Sequence, residues 1–218
     1  MIKYHPNDEI LAQFVSGKLP AAINVAISIH IEMCDCCQEK VAHLTKLAAE
    51  ENLVEANVED PLSDFDLNDL FDQIVQDERL DVIATHTPKR LTIADQQIEL
   101  PNALNQLELS EWSGFGKVNR CRVKLDNENI RSSLLHIGAG GEIPAHTHKG
   151  QELTVLLDGS FKDELGEYQR GDFIWLSGEH EHQPVSEKGC LCFAVVTDPL
   201  HFTEGFSRLL NPIGKLIY

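Results

Sequence analysis

From about residue 88 onward the apolar residues of this chain stop recurring at helical spacing and begin to alternate, which divides the chain into two kinds of structure. Six runs read as short strands: Arg90 to Leu100, Arg120 to Leu125, Arg131 to Ile137, Glu152 to Leu157, Asp172 to Leu176 and Leu191 to Val196. Turn residues separate them, among them Asp158-Gly159 and Arg170-Gly171-Asp172. Many short strands with no helix between them predict a barrel or sandwich of the jelly-roll sort. Upstream the period is helical. Residues 7 to 17 read as a helix capped by Asn7 or Asp8 and ended by Gly17, and Pro20 opens a second helix to about Met33. A third helix runs from about Asp35 to Glu51. After a polar, acidic connection over residues 52 to 63, a fourth covers about Asp66 to Asp77. The expected fold is therefore multidomain α and β: a helical bundle of about four helices over residues 1–85, then a β-barrel or jelly roll with a C-terminal tail over residues 86–218.

The helical part carries its own chemistry. His30-x3-Cys34-x2-Cys37, with Cys36 inside it, places His30, Cys34 and Cys37 toward one side of a helix end. His5, before the first helix, is the candidate fourth ligand. Two cysteines and two histidines are a common set for a closed, structural zinc site. The plainer reading is a helix-end histidine beside small buried cysteines. Three short helices bury little apolar surface, so a metal staple is physically useful there.

A second constellation lies among the strands: Gly140-x5-His146-x-His148-x3-Glu152-x6-Gly159. On an extended chain His146, His148 and Glu152 share one parity, and His182 is expected from a neighbouring strand, with His180 a substitute. Both pieces resemble the two cupin motifs, departing at Ser177, where proline is usual, and Glu179, where glycine is usual. The resemblance implies a cupin barrel binding a divalent metal through His146, His148, Glu152 and His182. Imidazole and carboxylate suit zinc, iron, nickel and manganese alike. Cys190 and Cys192 alternate onto one strand face, as core residues or as thiols beside the metal.

The 218 residues carry a formal net charge of -17, with 17 acidic and 5 basic residues up to residue 85 and 18 and 13 beyond it. Such a surface repels nucleic acid and anionic lipid and favours a basic protein partner. Nothing reads as a signal peptide or a membrane span, so a cytoplasmic protein is expected, in which six cysteines are ligands or core residues rather than a disulfide framework.

In order and spacing, the helical zinc motif followed by a cupin resembles the ChrR-type zinc-binding anti-sigma factors over nearly the whole chain. The resemblance implies that residues 1 to about 85 grip an extracytoplasmic-function sigma factor, 1:1, and block its access to core RNA polymerase. Zinc at His5, His30, Cys34 and Cys37 would hold the gripping surface, and the cupin domain would answer singlet oxygen or related oxidants by releasing the sigma factor. No catalysis is implied. The fourth helix, with Leu67, Leu70, Phe71 and Ile74 on one stripe, either packs on the bundle or clamps the partner. The competing class is a metal-dependent cupin enzyme, a mononuclear dioxygenase or isomerase, with a helical docking module. A third is a ligand-sensing cupin that binds another protein. The tail, with Phe202, Phe206, Leu209, Leu210 and Ile213, is expected to pack on the barrel or on a partner.

Overall fold

The computed structural model describes residues 1–52, 67–76, 87–93, 96–125, 130–148, 150–178, 180–198 and 200–203. Four helices come first: α1 (Asp8–Val15), α2 (Ala21–Met33), α3 (Asp35–Asn52) and α4 (Leu67–Gln76). The Asn7 side chain caps α1 by accepting from the Ile10 amide at 2.8 Å, and Asp8 and Glu9 in the first turn suit its dipole. The acidic connection over 53–66 lies outside the described residues, as does the tail beyond 203. No helix among the described residues is long and apolar enough to cross a membrane.

The strands follow as β1 (Arg90–Ile93), β2 (Gln96–Glu99), β3 (Glu108–Leu109), β4 (Ser113–Phe115), β5 (Val118–Lys124), β6 (Arg131–Ile137) and β7 (Gly141–Glu142). Then come β8 (His146–His148), β9 (Glu152–Lys162), β10 (Glu167–Gln169), β11 (Phe173–Leu176), β12 (Val185–Ser186), β13 (Cys190–Val196) and β14 (Leu200–Phe202). The main sheet has ten strands in the order β3-β5-β6-β13-β9-β12-β7, with β10 and β11 also on β9 and β4 on β5. Its pairings are antiparallel, and β14 pairs separately with β8. The hydrogen bonds of the described residues leave it open at β3 and β7 rather than closing a ring.

Two expectations are corrected. The run from Arg90 to Leu100 is a hairpin, with Ile93 opposite Gln96. Asp158-Gly159 is a bend inside the long strand β9, not a turn between strands. Gly159 takes φ +72°, and a Cβ there would lie 2.1 Å from the Gly189 carbonyl oxygen. Glycine permits that backbone approach, and β9 keeps its partner β13 on both sides through a register shift at Leu191/Cys192.

Helix α2 is apolar on more than one side, and the structure uses both. Ala22, Ile23, Ala26, Ile27, Ile29 and His30 are all buried. The apolar ones join one core that also holds Leu11 of α1, Leu153 and Val155 of β9, Phe173 of β11 and Phe193 of β13. A fully buried isoleucine such as Ile27 or Ile29 contributes roughly 2 kcal/mol from area removed from water. Glu32 fixes the far end of α2 by accepting from the Asn102 amide at 2.8 Å and from its side-chain Nδ2 at 3.0 Å. His30 is thereby carried on a helix clamped to the sheet.

Candidate metal centres

Among the described residues, two groups of side chains have the geometry to hold a metal. In the first, ligand atoms of His5, His30, Cys34 and Cys37 all lie within 4.8 Å of one another. Helix α2 delivers His30, the break at Cys34 starts a new helix, and α3 delivers Cys37. His5 Nδ1 sits 3.4 Å from Cys34 Sγ and 3.5 Å from Cys37 Sγ. His5 is the exposed member, whereas the other three are buried. The His30 Nδ1–H donates to the Gly171 carbonyl at 2.7 Å, which fixes the tautomer and leaves Nε2 to face the cluster. That Nε2 is buried with no hydrogen-bond partner. An orphaned imidazole nitrogen beside two thiols, its ring held from behind by a carbonyl, is the usual arrangement of a metal-ligating histidine. Burial, and then the neighbouring Cys34, pushes the Cys37 thiol up to about 12. The thiol therefore keeps its proton at neutral pH until a cation offsets the thiolate charge. The residues fit a closed tetrahedral ion. Cys36 is exposed and outside the cluster.

The second group is His146, Glu152 and His182. His146 stands on β8 and Glu152 opens β9, so the carboxylate arrives from the next strand rather than by parity along one strand. His182 lies outside the named strands in an isolated bridge to His146, with amide bonds in both directions at 3.2 and 3.1 Å. The two Nε2 atoms are 3.0 Å apart, and Glu152 Oε2 is 3.2 Å from His182 Nε2. Each ring is held from outside through Nδ1, His146 by the Pro144 carbonyl at 2.8 Å and His182 by Asp163 Oδ2 at 3.0 Å. Burial alone would lower the His182 pKa, but hydrogen bonds to Asp163 and Glu152 and their charges raise it to about 9. Burial opposes ionisation of Asp163, yet the bonds it accepts from His182 and from the Leu165 and Gly166 amides hold it below its ordinary value. An imidazolium between two carboxylates occupies a place suited to a divalent cation, and this set fits one as well.

The side chain of His148 lies outside the described residues, as do those of Leu67 and Leu70. His180, read as a substitute ligand, is exposed and bonded through Nδ1 to the Ser177 carbonyl at 3.1 Å, turned to its own loop instead of the centre. Glu179 is outside the described residues. The cavity at this centre is about 20 Å³, lined by the three ligands with Asp163, Thr154 and Cys192 among others. Cys190 and Cys192 are both buried in a smaller core cluster beside it. A hydrogen bond with Cys192 holds Cys190 below its ordinary pKa, and the same bond, with burial, raises Cys192. Sequence reading did not find the parts of Pro144, Asp163 and Gly171, which bond the rings of His146, His182 and His30, or of Asp172, which holds the backbone of Lys3 and Tyr4 next to His5. Aspartate and glycine in loops register there only as turn residues.

Fold and sites together define a class: a helical module with one candidate metal centre packed on a cupin-like sheet with another. The model of the ChrR cupin-like domain matches residues 102–200. Over 220 residues the chain is 29% identical to the anti-sigma-E factor ChrR of Cereibacter sphaeroides, covering 99% of each chain. The crystal structure of Rhodobacter sphaeroides SigE in complex with the anti-sigma ChrR superposes with a TM-score of 0.67 at 25% identity, covering 90% of this chain and 100% of the matched one. Over nearly its whole length, then, this chain is similar to ChrR.

Proposed function

We propose that this chain is a cytoplasmic anti-sigma factor. Residues 1–85 form the domain that grips an extracytoplasmic-function sigma factor in a 1:1 complex and keeps it from core RNA polymerase. Residues 86–218 form the cupin domain that governs release under singlet oxygen or related oxidants. The observation that carries this reading is the end-to-end similarity to an anti-sigma factor, 29% identical over 99% of both chains.

Other features support it. Helix α4 presents Phe71, Ile74 and Val75 at 64 to 65% exposure, a stripe that suits a partner's groove. The acidic charge of residues 1–85 suits a sigma factor whose polymerase- and DNA-facing surfaces are basic, steering encounter more than adding affinity. In the helical centre zinc is held by His5, His30, Cys34 and Cys37, and it supplies a crosslink between the N-terminal arm, α2 and α3. In the sheet centre zinc, iron, nickel or manganese is held by His146, Glu152 and His182, with His148 as the fourth ligand. The alternative of a dioxygenase or isomerase is disfavoured by the cavity. About 20 Å³ accommodates roughly one water and no organic substrate.

The test is co-expression with an extracytoplasmic-function sigma factor from the same genome, purification through a tag on one partner and metal analysis of the product. A 1:1 complex with about two metals is expected. A metal-bearing chain that purifies alone and consumes oxygen with a substrate would overturn the proposal in favour of the enzyme.

A further inference from the structure

The ten residues from Asp163 to Asp172, running from the end of β9 through β10 to the start of β11, touch both centres. At one end, Asp163 Oδ2 holds His182 Nδ1 at 3.0 Å while Oδ1 accepts from the Leu165 and Gly166 amides at 2.9 and 3.0 Å. Besides burial, the charge of the same carboxylate raises the pKa of the Tyr168 hydroxyl. At the other end, Asp172 is completely buried. Its Oδ1 accepts from the Lys3 amide at 2.7 Å and the Tyr4 amide at 3.1 Å, and its Oδ2 from the Gln169 amide at 2.8 Å. The Phe173 amide returns a bond to the Tyr4 carbonyl at 3.0 Å. The residue after Tyr4 is His5, a ligand of the helical centre. Gly171 gives its carbonyl to His30, a second ligand of that centre. Between the ends, the Tyr4 and Tyr168 rings pack with centroids 4.9 Å apart. The fit is close throughout: a Cβ on Gly166 would meet the Tyr4 hydroxyl at 2.6 Å, and one on Gly171 would meet Ile2 Cδ1 at 2.5 Å.

We propose that this hairpin is a shared outer shell of the two centres. Asp163 positions His182 and Asp172 positions His5 and its arm, so that occupancy of the sheet centre sets how tightly the helical centre holds its metal. The inference rests on the metal reading above. When His182 and Glu152 turn to a cation, Asp163 is the fixed point behind His182. A shift of His182 pulls on Asp163 and is passed to Tyr168, the ring against it and the arm bonded to Asp172, because a packed segment moves as a body. The coupling is reciprocal: a metal in the helical centre tightens the sheet centre by the same factor.

The test uses the full chain and cobalt(II) alone as probe. The thiolate-to-cobalt charge-transfer absorption reports the helical centre, and its loss in the Cys34→Ser, Cys37→Ser double variant verifies that origin. Affinity is read by competition against a chelator. Asp172→Asn is expected to weaken the helical centre about tenfold or more, the usual effect of removing an outer partner. Glu152→Gln, which changes only the sheet centre, is expected to weaken the helical centre about fivefold, at the lower end of site–site coupling. In the Asp172→Asn background Glu152→Gln is expected to add nothing. Lys3→Pro deletes one bond to Asp172 from the arm's side and leaves the hairpin intact, so it gives the same reading if Asp172→Asn folds poorly. An unchanged helical affinity in Asp172→Asn or in Lys3→Pro overturns the inference, and so do equal effects of Glu152→Gln in both backgrounds. Absence of the thiolate absorption in the unaltered chain would instead overturn the metal reading beneath it.

Discussion

His30 shows how much of a site one residue can declare. Its Nδ1 is committed to the Gly171 carbonyl and its buried Nε2 has no hydrogen-bond partner, so a cation bound before the ring would satisfy the one nitrogen left open. Replacing Cys34 and Cys37 together by serine is therefore expected to remove about one metal per chain and to abolish sigma-factor binding, read by metal analysis and pull-down. Retention of both would contradict the assignment. His182 gives a prediction in pH. Its pKa stands at about 9 against 6.5 for the free side chain, so the metal-free fold gains stability from the imidazolium. That gain is complete below about 6.5 and is lost as pH rises through about 9. A metal must displace the same proton, so affinity at the sheet centre is expected to fall by up to about tenfold per unit as pH drops from 8 to 6. Isothermal titration in buffers of differing ionisation enthalpy would count the released proton. Cys34 and Cys37, which the structure brings together with His5 and His30, could be picked out because Cys-x2-Cys is a local spacing. Asp172 could not, since its bonds to Lys3 and Tyr4 join residues 169 and 168 positions apart and leave no local trace.

Among the elements, the helices were legible nearly to their ends, because caps and breakers mark them: Asn7 and Gly17 around α1, Pro20 before α2. Strand β6 was read to its exact bounds. Short strands such as β7 and β12, two residues each, have no periodicity to read and owe their pairing to the sheet. Strand β9 was cut short at Leu157 because Asp158-Gly159 is turn chemistry in any local view. Gly159→Ala is expected to destabilise the fold by about 2 to 3 kcal/mol, combining a strained φ with a clash on the Gly189 carbonyl. Denaturant melts would show a lower midpoint at unchanged slope. Helix α4 poses the opposite case. Phe71 and Ile74 are exposed, so changing both to alanine is expected to leave thermal stability within about 0.5 kcal/mol. Sigma-factor affinity should fall tenfold or more, as for truncation of apolar anchors at an interface. Unchanged binding would place the grip elsewhere.

On the scale of the whole molecule, α1 and α2 are not a separate bundle beside the sheet, for Leu11, Ile27 and Phe193 belong to one apolar core. Helical circular dichroism and the fluorescence of Trp112 and Trp175, both in the sheet part of the chain, are therefore expected to report a single coincident thermal transition. Two separated transitions would refute that shared core. Sequence reading reached the two kinds of structure and their order because periodicity is local. It did not reach their union, which depends on which face of α2 meets β9 and β13. The anchoring of the arm bears also on the order of synthesis. His5, His30, Cys34 and Cys37 have all been made by residue 37, whereas the carbonyl and carboxylate behind them arrive at residues 171 and 172. At translation rates of about 5 to 20 residues per second, the nascent chain spends on the order of ten seconds with its ligands made and their supports still unmade. A metal bound at the first centre during that interval would be held by its ligands alone, and the outer supports would come only with residues 171 and 172.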